Sequence, residues 1–175
     1  MSDSKNQKRV LALDVCPRSF GFVVFEGSRQ LLDWGVKSFR PGANAVKVPA
    51  SKKFNALVDE FAPATVVLKE RPTETNRRRA TLLHAILKQA KNRQLAVRFL
   101  THRVVKKAFA GDERNKYTIA SALAKRFPEL APKFPGERKI WQSEDYRMSI
   151  FDAAALGTAY FEQKRRSNPI LPQSH

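Results

Sequence analysis

Short, fully apolar runs alternate along the chain with segments of helical period. Residues 9–13 (RVLAL) end at Asp14, and after the turn-like 16–19 (CPRS) residues 20–25 (FGFVVF) form a second unbroken apolar run. Both are short and bounded by turn residues, and the second is rich in Val and Phe, which predicts two buried strands. A third run, 31–39, follows the Glu26-Gly27-Ser28 turn closely enough to pair antiparallel with the second. Phe54, Leu57, Val58 and Phe61 then recur at helical spacing and stop before Pro63, an amphipathic helix. Residues 65–68 (TVVL) read as a fourth strand, closed by Lys69-Glu70 and cut by Pro72.

Leu82, Leu83, Ile86, Leu87 and Ala90 mark a second helix whose first turns carry Arg77, Arg78 and Arg79. Cations there oppose the helix macrodipole, so the placement costs a little stability and points to another use. Residues 96–105 (AVRFLTHRVV) read as a fifth strand, with a short basic loop holding Lys106, Lys107 and Gly111 after it. Ile119, Ala120, Leu123, Ala124 and Phe127 form the apolar face of a third helix, and Pro128, Pro132 and Pro135 make 128–142 a loop or irregular excursion. A last helix is expected from an N-cap at Ser143 to about Gln163, its Ala153, Ala154 and Gly157 small enough for close approach to the sheet. Three meandering strands followed by alternating helices and strands predict an α/β layer fold: a five-stranded mixed sheet, three strands antiparallel and the later ones joined by crossovers, with helices on both faces. One domain over 9–163 is expected between a flexible N-terminal tail, 1–8, and a basic, disordered C-terminal tail, 164–175.

Composition narrows the function classes. The 175 residues are 42% apolar with 12 Phe, enough for a buried core, which excludes a wholly disordered chain. No run approaches the roughly 18 apolar residues of a membrane span, and the polar start offers no signal peptide, so a cytoplasmic protein without membrane partners is expected. One cysteine, Cys16, and three scattered histidines exclude a disulfide scaffold and a structural zinc module. The 33 basic and 16 acidic side chains leave a net charge of +17. Thirteen basic against three acidic residues fall in 71–116, so that stretch alone carries +10. Charge so concentrated needs a compensating polyanion, and nucleic acid is the expected partner.

Within this basic chain, two acids close apolar strands, Asp14 after RVLAL and Glu70 after TVVLK, and a third, Asp152, interrupts the apolar stretch 148–156 (MSIFDAAAL). Sites in open α/β sheets form at the carboxyl ends of strands. Each acid alone has an ordinary structural use, as a turn cap or an ion-pair partner. Three carboxylates brought together would raise one another's pKa unless hard cations neutralise them, which is how Mg²⁺ sites for phosphodiester chemistry are built.

With these residues placed, the chain resembles a RuvC-type Holliday junction resolvase of the RNase H-like superfamily over roughly 9–161. The resemblance rests on Asp14 with Gly21-Phe22, Glu70 in VVLKE, Asp152 in FDAAALGTA, and lysines 106, 107 and 116 around Gly111. It implies an RNase H-like fold, a homodimer with two active sites, and Mg²⁺-dependent endonucleolytic cleavage of branched DNA leaving a 5′ phosphate. Asp14, Glu70 and Asp152 would hold two Mg²⁺ ions, with Mn²⁺ able to substitute. Lys106, Lys107 and Lys116 would sit near the scissile phosphate, and Arg71, Arg77, Arg78 and Arg79 would follow the backbone. Two departures stand out: Asp14-Val15-Cys16 where the family continues Asp-Pro-Gly, and Ser149 where it tends to place an acid or His three residues before the last Asp. Glu144 and Asp145 are supporting or alternative ligands, Asp145 lying about 10 Å from Asp152 along a helix axis.

A different class of function fits the same residues, an RNase H-like nucleic-acid-binding or RNA-maturation factor with weak or no cleavage. The two departures favour it and the three acids oppose it, since negative charge facing a phosphate gives a pure binder nothing. Cys16 reads as a small buried residue whose thiol could make activity oxidation-sensitive. Trp34 and Trp141 read as core or loop anchors rather than base-stacking platforms.

Overall fold

The computed structural model describes residues 8–39, 47–71, 73, 75–109 and 115–168. β1 (Arg9–Val15), β2 (Ser19–Glu26) and β3 (Gln30–Ser38) form the expected antiparallel meander, turning between β2 and β3 on Gly27 at φ 67°. β4 (Thr65–Lys69) pairs parallel with β1, and β5 (Ala96–Leu100) parallel with β4, so the sheet order is β3-β2-β1-β4-β5. Strands one and four are therefore neighbours.

The apolar runs of β1 and β2 are unbroken because both faces of the sheet are covered. α1 (Lys47–Phe61) and α2 (Arg77–Asn92) close one side, where Phe54, Leu57, Leu82 and Ile86 meet Leu11, Leu13, Val24 and Leu68. The other side holds α3 (His102–Ala108), α4 (Lys116–Arg126), a 3-10 turn (Pro128–Lys133) and α5 (Met148–Ser167), gathered on Val10, Ala12, Val23, Phe25 and Val67. A Cβ on Gly157 would come within 2.0 Å of the Phe25 ring, so that glycine lets α5 lie directly on β2. No described helix is long and apolar enough to cross a membrane.

Four expectations are corrected. The fifth strand stops at Leu100, because the Thr101 side chain accepts a hydrogen bond from Val104 N at 3.3 Å and starts α3, which carries Lys106 and Lys107 on a helix rather than a loop. α5 begins at Met148 and not at Ser143, leaving Glu144 and Asp145 outside it. It runs on through 164–167, so the basic end of the chain is helical there. Trp141 is 79% exposed and anchors nothing, whereas Trp34 does pack against the core. Gly111, both ends of the chain (1–7 and 169–175) and Pro72 lie outside the described residues.

Candidate active site

Strand alternation decides which way each strand-end acid faces. Leu11, Leu13 and Val15 belong to the core under α1 and α2, Val10 and Ala12 to the core under α5, and Asp14 follows Ala12 onto the α5 side. β4 obeys the same rule: Val67 faces α5, Leu68 faces away, and Lys69 returns. The parallel register pairs Leu13 with Leu68, so the next residues, Asp14 and Lys69, stand side by side at the sheet's carboxyl edge. Glu70 falls on the opposite parity. It is exposed, its amide bonds Leu100 O at 2.8 Å, and its side chain does not line the pocket that Asp14 lines.

Asp152 arrives from the facing layer. Gly21 is the cross-strand partner of Asp14, and a Cβ on it would lie 2.3 Å from Ser149 O, so the first turn of α5 rests on bare β2 backbone at Asp14's own level. Asp152, nearly one helical turn past Ser149, then shares with Asp14 a pocket of about 210 Å³ whose rim includes Lys69, His102, Lys106 and Lys116. Ser149 is buried with its hydroxyl donating to Tyr146 O at 3.0 Å, which makes it a packing residue rather than a ligand. Asp145 does not line this pocket: Arg147 donates to it at 2.7 and 2.9 Å and holds it below the usual carboxylate range.

Charge in the pocket is unevenly balanced. Asp14 is 6% exposed, and burial raises its carboxyl above the ordinary value although Lys116, Cys16, Lys69 and Arg71 pull the other way. Burial and the neighbouring Asp14 push Asp152 up to about 6. Lys116 Nζ, from the first turn of α4, lies 2.9 Å from Asp152 and 2.6 Å from Glu144. Burial alone would depress that ammonium, but the two carboxylates hold it firmly protonated. The Cys16 thiol donates to Asp14 Oδ2 at 3.5 Å, and burial with the adjacent carboxylate pushes it up to about 12. Two carboxylates driven toward protonation by burial, Asp152 also by the charge of Asp14, supply the oxygen donors that a hard divalent cation binds. Asp14 and Asp152 thus fit one such ion; among the described residues no group of three or more His, Cys, Asp or Glu side chains could hold a metal.

Of the cations expected on nucleic acid, Arg71, Arg77, Arg78 and Lys107 are exposed and Lys106 sits on the pocket rim. Arg79 is corrected. It is 4% exposed, and its Nε donates to Val15 O at 2.6 Å, tying the start of α2 to the strand end beside Asp14. Lys69 and His102 are site residues that sequence reasoning missed; parity counted from Asp14 across the β1–β4 pair would have found Lys69.

No family model matches the chain, and no curated protein matches it by sequence. Solved structures do. RuvC of Thermus thermophilus, determined in complex with a Holliday junction substrate, superposes with a TM-score of 0.70 at 18% identity, covering 92% of this chain and 97% of that one. The yeast mitochondrial Holliday junction resolvase Ydc2 gives 0.57 at 14% identity, over 94% and 87%. The fowlpox virus Holliday junction resolvase gives 0.56 at 12% identity, over 89% and 99%. The fold is the RuvC-type, RNase H-like one.

Proposed function

We propose that the chain is a divalent-metal-dependent endonuclease acting on branched DNA, with its centre at the Asp14–Asp152 pocket. The observation that carries the reading is a buried and a half-buried carboxylate, from a strand end and a facing helix, lining one pocket rimmed by three lysines in a protein of net charge +17. Asp14 and Asp152 would hold Mg²⁺ or Mn²⁺, which when bound supplies Lewis-acid stabilisation of a phosphoryl oxygen and an activated water. Lys69 and Lys106 bind the phosphate at the rim, while Arg71, Arg77, Arg78 and Lys107 hold the flanking backbone. Cys16 keeps its proton and fixes Asp14 Oδ2 in place. Lys116 neutralises Asp152 and Glu144 until substrate or metal redistributes that charge. A homodimer would present two such pockets to the two strands of a junction.

A nucleic-acid-binding factor with weak or no cleavage is favoured by one observation, that Glu70 stands outside the pocket. The test is incubation of labelled four-way junction, duplex, single strand and RNA–DNA hybrid with Mg²⁺, using the natural chain and Asp14→Asn. Paired nicks in the junction that vanish in the variant support the nuclease. Tight binding without cleavage in either Mg²⁺ or Mn²⁺ establishes the binding factor instead.

A further inference from the structure

Between the 3-10 turn and α5 the chain holds three large side chains out in solvent: Ile140 at 99%, Trp141 at 79% and Tyr146 at 71% exposure. The 139–142 turn that carries the first two is well built. Gln142 N donates to Lys139 O at 3.0 Å, Lys139 N donates back to Gln142 Oε1 at 3.1 Å, and Arg138 donates to Gln142 O at 2.8 Å. Turn apices ordinarily carry polar residues and glycine, so an ordered turn with Ile and Trp at its tip presents them for use. Lys139 Nζ stands 5.4 Å from the Trp141 ring centroid. Three residues further on, Glu144 pairs with Lys116 of the pocket rim, so about 11 Å of chain at most separates the tip from a residue bonded to that rim.

We infer that this turn is a base-stacking finger: Trp141 receives an unpaired nucleobase of nucleic acid bound at the pocket, with Lys139 and Arg138 beside the adjoining phosphates. The inference rests on reading the pocket as a nucleic-acid site. An exposed indole with Lys139 over its ring, on a chain of net charge +17, suits a base, whose flat face stacks and whose phosphate is anionic. A second copy suits it less well. Two apolar side chains are far short of the roughly 800 Å² per partner of a stable interface, and each copy carries +17.

Trp34→Phe leaves Trp141 as the one indole, and its emission can be followed in EDTA against a four-way junction, an oligo-dT strand and a duplex of equal length. Junction and oligo-dT are expected to quench it and the duplex to do so far less. Trp141→Ala should weaken the first two about ten-fold, with Trp141→Phe restoring most of the loss and duplex affinity unchanged. Unchanged emission at saturation with unweakened Trp141→Ala overturns the finger, as does a fall in sedimentation mass in that variant, which would make a second copy the occupant. Cleavage is scored separately with Mg²⁺: nicking with an unquenched Trp141 sinks the finger alone, and quenching without nicking sinks the nuclease alone.

Discussion

Asp152→Asn is expected to stabilise the protein at neutral pH while removing one of its two candidate ligands. Burial and the Asp14 charge raise the Asp152 carboxyl from its ordinary 3.8 to about 6. A carboxyl raised in this way binds its proton more tightly in the folded chain than in the unfolded one, so ionisation works against the fold. Its favourable contribution is complete below pH 3.8 and lost as pH rises through 6. At about 1.4 kcal/mol per pH unit, the gap from 3.8 to about 6 amounts to about 3 kcal/mol. The amide stands in for the protonated acid, and the attraction of Lys116 is already contained in the value of about 6. Because the side chain keeps 25% of its exposure, solvent screening trims the gain to about 2 kcal/mol. For 175 residues that raises Tm by about 4–8 °C. The assay is thermal unfolding by circular dichroism from pH 4 to 8 in EDTA, so that no metal alters the charge balance. The difference between variant and parent should be small at pH 4, grow through pH 5 and level off above pH 6.5. A variant that melts at or below the parent at pH 7.5, or a difference that ignores pH, refutes the buried, under-neutralised pair.

Gly21→Ala drives a methyl against Ser149 backbone, which cannot turn aside, so it should cost about 1–3 kcal/mol in chemical denaturation; cleavage should fall more than stability explains, because α5 carries Asp152 away from Asp14. Arg79→Ala, which leaves Val15 O without its buried donor, should lower stability by about 2 kcal/mol and leave the salt slope of DNA binding unchanged. Arg77→Ala with Arg78→Ala should do the reverse, lowering that slope by about 2 with little change in Tm. Cys16→Ala removes a hydrogen bond that lowers the Asp14 carboxyl, so the acid limb of the pH–rate profile should move to higher pH. In the natural chain the thiol, pushed up to about 12, should react with an aromatic disulfide at pH 8 far more slowly than after unfolding; equal rates would show that the thiol is not held as described.

The fold was legible because its strands and helices obey different periods, and the residues that differ from expectation are those where a single side chain overrides the pattern. AVRFLTHRVV is apolar enough for a ten-residue strand, yet Thr101 caps a helix in its middle. Ser143 offers a cap that the chain does not use; Arg147 holds that place without a side-chain hydrogen bond. Asp14 and Asp152 could be found from sequence since an acid in an apolar run needs a partner, and each does face the other across the pocket. Glu70 met a similar criterion, yet it is exposed and not among the residues lining that pocket. TVVL is apolar on both faces because the sheet is covered on both, so its composition is silent about which way the following residue points, and only the register with β1 sets Lys69 beside Asp14 at the pocket.

The charge count misled in a related way. A sum over 71–116 gives +10, but summation treats every cation as surface charge facing outward. In the folded chain Lys116 is held by Asp152 and Glu144, Arg79 by the Val15 carbonyl, and Arg93 by Asp59. Arg71, Arg77, Arg78, Lys106 and Lys107 remain of the seven cations expected on nucleic acid. Phosphate contacts from these five give a log–log salt slope of about −4.5, against about −6.3 had all seven made them. Lys116 belongs to the chemistry of the pocket rather than to the binding track. It is already placed on the carboxylate that a metal would need, so metal affinity and Lys116 must compete for Asp152, and Lys116→Ala should tighten Mn²⁺ binding as it loosens the fold.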